Sequence, residues 1–102
     1  MTNCSCDSFF VNFSNKARLN IMLLLKTRAC DVTTISRNLK IEQSLVSHNM
    51  TKLLSCNLVQ SKREGKTKIY SLNKKVALPI LDIYEKNILK NCCSICKNEK
   101  KK

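Results

Sequence analysis

The sequence predicts a mainly α-helical domain interrupted by a two-stranded β-hairpin, with elements in the order α-α-α-β-β-α. Three observations carry this expectation. Apolar residues recur at helical spacing in separate blocks, near 15–28, 33–40, 44–55 and 79–89. Between the third and fourth blocks, "LVQSKREGKTKIYSL" reads as two strands, about 58–62 and 67–72, around "REGK". The only glycine in the chain, Gly65, stands where a hairpin loop calls for it.

With 102 residues, the chain is one small domain. A chain of this length buries about 65% of the surface that its unfolded form exposes, which leaves no room for a second core. Residues 1–91 are read as that domain, with dimerising helices at its two ends, and 92–102 as a Cys-rich then Lys-rich tail. Against 19 Lys+Arg stand only 7 Asp+Glu, a net charge of +12. Biased base composition explains abundant lysine but not scarce acid, so a polyanionic partner is the first expectation. No basic segment followed by an apolar run opens the chain, and "IMLLL" is too short to cross a membrane. A cytoplasmic location and no membrane partner are therefore expected.

The first predicted helix, from Asn15 to about Arg28, carries Ala17, Leu19, Ile21, Met22, Leu24 and Leu25, with Ser14 or Asn15 as its cap. After "ACDV", Thr33 or Thr34 is expected to cap a short helix that turns Ile35 and Leu39 inward and Arg37 and Lys40 outward. The next helix sorts its faces cleanly. Val46, Met50, Leu53 and Leu54 fall on one side, and Ser44, Ser47, His48, Thr51 and Ser55 on the other, with Ser44 as the expected cap. Beyond the hairpin, Asn73 is expected to cap a last helical region in which Pro79 sits near the first regular position. Its apolar stripe is Ile80, Leu81, Tyr84, Ile88 and Leu89, wider than the monomer alone covers. A twofold homodimer is the expected remedy, with two reading helices about one DNA turn apart.

Helix, helix, helix, hairpin, helix is the order of a winged helix-turn-helix. The run "QSLVSHNMTKLL" followed by "NLVQSKREGKTKIYSL" resembles the recognition helix and wing of the ArsR/SmtB repressors, in which a Ser-x-x-Ser-His run precedes a basic, Gly-containing hairpin. The similarity extends from about Asn15 to Leu89, and 43–72 is its specific part. It implies that Gln43, Ser44, Ser47, His48 and Asn49 contact bases. The residues themselves agree: short polar groups allow a helix into the major groove, and Ser44, Ser47, His48, Asn49 and Lys52 supply donors and acceptors there. No acid occurs from Gln43 to Arg63, while Lys62, Arg63, Lys66 and Lys68 surround the hairpin turn and suit phosphates. The expected partner is double-stranded DNA carrying an inverted-repeat operator.

Seven cysteines, an odd number, point to metal or redox chemistry in a reducing compartment. Isolated Cys30 and Cys56 are read as buried hydrophobes. Cys92, Cys93 and Cys96 form a cluster, with Cys4 and Cys6 available for a fourth ligand. Soft thiolates select Zn, Cd or trivalent arsenic. Cys92 and Cys93 diverge by about 100° on a regular helix, so one ion bound by all three needs the helix end to unwind. The family's commonest Cys-x-Cys motif would fall near Asp31 and Thr33 and is absent. The resemblance implies instead the arsenite-responsive members with a vicinal Cys pair and a third Cys at the end of the last helix. One histidine, no nucleophile-base arrangement and no Gly-rich phosphate loop argue against an enzyme. The competing readings are a non-inducible or redox-responsive winged-helix protein, and a DNA-packaging or viral architectural protein.

Overall fold

The computed structural model describes residues 6–89, and the side chains of 8–87. Its elements run α1 (Cys6–Ser14), α2 (Lys16–Thr27), α3 (Val32–Leu39), α4 (Gln43–Ser55), β1 (Val59–Glu64), β2 (Thr67–Leu72) and α5 (Ala77–Ile83), which continues as a π-helical stretch, Tyr84–Leu89. The expected order holds, with one more helix ahead of it. That helix, α1, was not foreseen at 6–14, because its apolar residues are the three phenylalanines and Val11 without a distinct polar face. Phe9 and Phe13 pack onto the core, their ring centroids 5.7 Å apart.

Asn15 separates α1 from α2 and caps the second helix, its Oδ1 accepting from the Arg18 amide at 3.0 Å. The α2 helix is the hub: α1, α3, α4, α5 and β2 all pack against it. Its Ile21, Met22 and Leu25 are buried with Ile35 of α3, Val46, Met50 and Leu53 of α4, and Leu81 of α5. Burying each such side chain contributes about 1.5–3 kcal/mol before chain entropy is subtracted.

Several caps differ from expectation. The α3 helix is capped by Asp31, whose Oδ1 accepts from the Thr34 amide at 3.1 Å, in place of Thr33 or Thr34. Ser44 lies inside α4, which starts at Gln43 behind Glu42 and has no side-chain cap bond. Asn73 does not cap the last helix with its side chain. Its Nδ2 donates to the Asn57 carbonyl at 2.8 Å, while its own carbonyl receives the Ala77 amide. Two helix ends use left-handed residues other than glycine, Lys40 after α3 (φ 59°) and Asn57 after α4 (φ 61°). The second lets the Leu58 amide reach back to the Leu53 carbonyl at 3.0 Å, which reverses the chain into β1.

The hairpin pairs Val59 with Leu72 through Glu64 with Thr67, so β1 runs two residues further toward the tip than expected while β2 has its expected bounds. Gly65 (φ 65°) takes the first position of the two-residue turn. Cys30 joins the hairpin as a single antiparallel bridge to Tyr70, with hydrogen bonds of 3.0 and 2.8 Å in the two directions. The "ACDV" break is thereby stitched to β2. The last helix begins at Ala77, two residues ahead of the start expected near Pro79, which stands in its first turn, and 74–76 form an irregular lead-in. It does not stay regular, passing into π-helix at Tyr84.

Lys26, in the last turn of α2, reaches across to α5. Its Nζ lies 3.3 Å from Asp82 and hydrogen-bonds Glu85. Glu85 foremost, then Asp82, raises the Lys26 pKa above its usual 10.5, so the pair's contribution is complete below that value and fades only in stronger alkali. Asp31 shifts the other way: the Thr34 contact lowers its carboxyl below 3.8. Its stabilising charge is therefore present above that pH and lost as pH falls through the lowered pKa. Asp31→Ala is expected to cost about 1 kcal/mol in urea unfolding at pH 7, the usual worth of an N-cap, with the gap from wild type narrowing as pH falls through the lowered pKa.

Candidate nucleic-acid interface

The reversal at Lys40 and Ile41 sets α4 across α3, and Val46, Met50 and Leu53 hold it there, each 1% exposed or less. The opposite face is free. Gln43, Ser44, Ser47, His48, Thr51 and Lys52 are all exposed, and the side chains of Ser44, Ser47 and His48 make no hydrogen bond among the described residues. Their donors and acceptors are available to a groove. The Thr51 hydroxyl donates back to the Ser47 carbonyl at 3.1 Å and keeps only acceptor capacity outward. Because no side chain caps α4, the amides of its first turn face solvent, an arrangement suited to a phosphate.

One predicted reader is misplaced. Asn49 is buried, 3% exposed, and cannot reach a base edge. Its Nδ2 donates to the Leu45 carbonyl at 3.0 Å and its Oδ1 accepts from Arg18 Nε of α2, also at 3.0 Å. On a helical wheel, position 49 lies about 40° from Leu53 and about 100° from His48, so the periodicity that sorted the other residues places Asn49 on the inner side. Polarity had outweighed angle in the expectation. Leu45, unremarked in the sequence, is 43% exposed. It gives this polar face an apolar contact of the kind that meets a thymine methyl.

The wing carries its cations outward. Lys62, Arg63, Lys66 and Lys68 are exposed, and β1 is exposed from Gln60 to its end. Arg63 is directly opposite Lys68 on one face of the hairpin, whereas Lys62 points to the other face opposite Ile69. Like charges facing each other across a hairpin are unfavourable in the free protein and are relieved when a polyanion lies between or beside them. Lys68 Nζ also stands 5.8 Å from the Tyr70 ring centroid, which helps to hold it. Glu64 forms no ion pair with these cations.

The thiol site predicted from Cys4, Cys92, Cys93 and Cys96 lies outside the described residues, as does the side chain of Cys6. Among the described residues, no group of three His, Cys, Asp or Glu is placed to hold a metal ion. Cys30 and Cys56 are buried, as expected of apolar cysteines, at 4% and 7% exposure. Cys30 is a free thiol, but Cys56, which ends α4, is disulfide-bonded and so is more than a core hydrophobe. The other large apolar side chains exposed in the described residues are Phe10 (63%) and Val11 (49%) of α1 and Ile83 (58%) of α5. No helix of the described residues is long and apolar enough to cross a membrane.

A helix seated on a three-helix core with its polar face free, followed at once by a cationic hairpin, defines a winged helix-turn-helix DNA-binding domain. Residues 15–61 match the family model described as bacterial regulatory protein, arsR family. Solved structures share the fold. NolR from Sinorhizobium fredii is similar at 25% identity and a TM-score of 0.71, over 85% of this chain and 97% of that one. The homodimeric winged helix-turn-helix DNA-binding domain Mb0332 from Mycobacterium bovis, a possible ArsR-family regulator, gives 21% and 0.76, over 83% and 79%. The transcriptional repressor BigR from Xylella fastidiosa gives 21% and 0.67, over 79% and 84%. No curated protein matches the chain in sequence.

Two kinds of substitution separate reading from anchoring. Ser47→Ala or His48→Ala is expected to cost about 1–3 kcal/mol on a preferred DNA sequence and little on random DNA. Lys62→Ala is expected to weaken both alike and to reduce the slope of log affinity against log salt by about 0.9, measured by fluorescence anisotropy across a salt series.

Proposed function

We propose that this protein is a sequence-specific transcriptional repressor that binds an inverted-repeat operator as a homodimer and is released by a thiophilic metal or metalloid such as arsenite. The observation that carries the DNA-reading part is the exposed, acid-free face of α4 continuing into the cationic wing. Gln43, Ser44, Ser47, His48 and Lys52 read the major groove, and Lys62, Arg63, Lys66 and Lys68 grip the flanking phosphates. A single α4 covers too few base pairs to select one site in a genome, and exposed Phe10, Val11 and Ile83 are apolar surface of the sort that a second copy covers. The homodimeric state of the Mb0332 domain and the repressor role of BigR support this reading by analogy of fold.

The inducer arm rests on the chemistry of the cysteine sequence. Cys92, Cys93 and Cys96 form a three-thiolate set suited to As(III), and Cys4 or Cys6 adds a fourth ligand for Zn or Cd. Release requires that the ligand bind the weak-binding form more tightly, with a coupling of about 1–3 kcal/mol. The Cys56 disulfide at the end of α4 favours a second reading, in which the thiols respond to oxidants and the recognition helix is redox-sensitive.

Gel shifts on random genomic fragments, repeated with arsenite, Cd, Zn and an oxidant, test the whole reading. Enrichment of one inverted repeat at a stoichiometry of two chains per site is expected, with release by arsenite that disappears when Cys92, Cys93 and Cys96 all become serine. Binding without any preferred sequence overturns the repressor reading in favour of a packaging protein. Release by oxidant alone, abolished by Cys56→Ser, replaces the metalloid reading with the redox one.

A further inference from the structure

The apolar seat of α4 fixes how deep the helix lies but only loosely how it is rotated, because methyl and methylene contacts have little directionality. One directional contact ties α4 to the rest of the domain at the level of its readers. Arg18 of α2 donates from Nε to Asn49 Oδ1 of α4 at 3.0 Å and from Nη1 to Asn12 Oδ1 of α1 at 3.1 Å. Both asparagines are buried, Asn12 at 1% and Asn49 at 3% exposure. Each amide is held from behind by its own helix. Asn12 Nδ2 donates to the Ser8 and Phe9 carbonyls at 3.0 and 3.1 Å, and Asn49 Nδ2 donates to that of Leu45. The two oxygens are thus aimed at the guanidinium, and one side chain joins three helices.

For stability alone this is a poor choice. The half-buried cation has no carboxylate partner, since the ion pairs of the described residues all involve Lys26, and apolar residues in these three places would fill the space at lower desolvation cost. What the arrangement supplies is angle. Asn49 is adjacent in sequence to His48 and two residues from Ser47, so rotation of α4 about its axis breaks the Arg18 bond at the same time as it turns the readers away.

We infer that Arg18 is the positioning residue of the recognition helix, fixing its rotation through Asn49 and tying that rotation to α1 through Asn12. The inference rests on the proposal that α4 reads DNA, and it makes α1, an element outside the helix-turn-helix, a determinant of what α4 reads. Arg18 touches no base in this assignment and acts only through Asn49.

The test uses full-length protein and the operator selected above. In the double variant Arg18→Met with Asn49→Leu, the α2–α4 pair becomes apolar and only Asn12 Oδ1 loses its donor, so the fold is expected to persist with thermal stability lowered by the cost of one unsatisfied buried acceptor. Affinity for random DNA and the salt slope stay unchanged, whereas operator affinity falls by about tenfold or more, the scale of one lost base contact. Asn12→Ala leaves α4 and its Arg18 bond chemically intact, and is expected to lower operator preference several-fold and to shift the amide resonances of 44–52. It keeps the test open if the double variant does not fold. Full operator preference in either folded variant overturns the inference, and so does a salt slope lowered by about one, which makes Arg18 a phosphate contact instead. Wild-type protein that prefers no sequence overturns the DNA-reading proposal itself, a different result from either of these.

Discussion

The seating of α4 on α2 and α3 is the contact on which the rest of this domain depends. A recognition helix has to satisfy two demands with one sequence, an apolar side that never opens and a polar side that nothing inside the protein covers. Val46, Met50 and Leu53 meet the first at 1% exposure or less. The second holds only because the chain leaves α4 sharply at both ends. Lys40 and Asn57 take left-handed conformations there, and neither neighbouring element is able to fold back over the free face. Asn57 is further fixed by Asn73, so the end of α4, the base of the wing and the entry to α5 share one small hydrogen-bonded junction.

Charge is distributed by the same logic. Two of the seven acids, Asp82 and Glu85, lie on the last helix and converge on Lys26, and Asp31 is used as a helix cap. The described acids are thus largely committed to structure or kept off the reading face. Meanwhile Arg63 and Lys68 face each other across the wing without an intervening carboxylate. A hairpin optimised for its own stability would place opposite charges at that pair. Such local inconsistency between stability and sequence is what functional surfaces impose, and here it occurs where phosphate is expected.

Much of this was legible in the sequence. The hydrophobic period placed α2, α3 and α4 and their buried faces, and Gly65 placed the turn, because these features depend on local pattern. What escaped depends on partners distant in the chain. Asn49 looked like a reader because it is a polar group within the run that resembles a recognition helix, and only Arg18, thirty-one residues earlier, shows that the amide is already used. The caps were misassigned where several candidates stood side by side: Asp31 outcompetes Thr33 and Thr34 because a carboxylate accepts an amide bond more strongly than a hydroxyl and suits the positive helix end. The α1 helix lacked an amphipathic signature because Phe10 and Val11 remain exposed in the single chain.

The position of α2 between all other helices constrains how any event at the chain ends reaches the recognition helix. Its buried residues, Ile21, Met22 and Leu25, are packed too closely to rearrange one at a time, so α2 moves as a rigid body or not at all. Its polar contacts with its neighbours are concentrated at the two ends. Arg18 joins α1 and α4, and Lys26, eight residues and about 12 Å further along, joins α5. The two attachments differ in kind. Lys26 and its acids are a quarter or more exposed, so the clasp on α5 is weak and screened by salt. The Arg18 contact ends on two buried amides and tolerates little displacement. A perturbation entering from α5 is therefore partly absorbed before it reaches α2, whereas one entering from α1 is passed directly to the helix that carries Ser47 and His48.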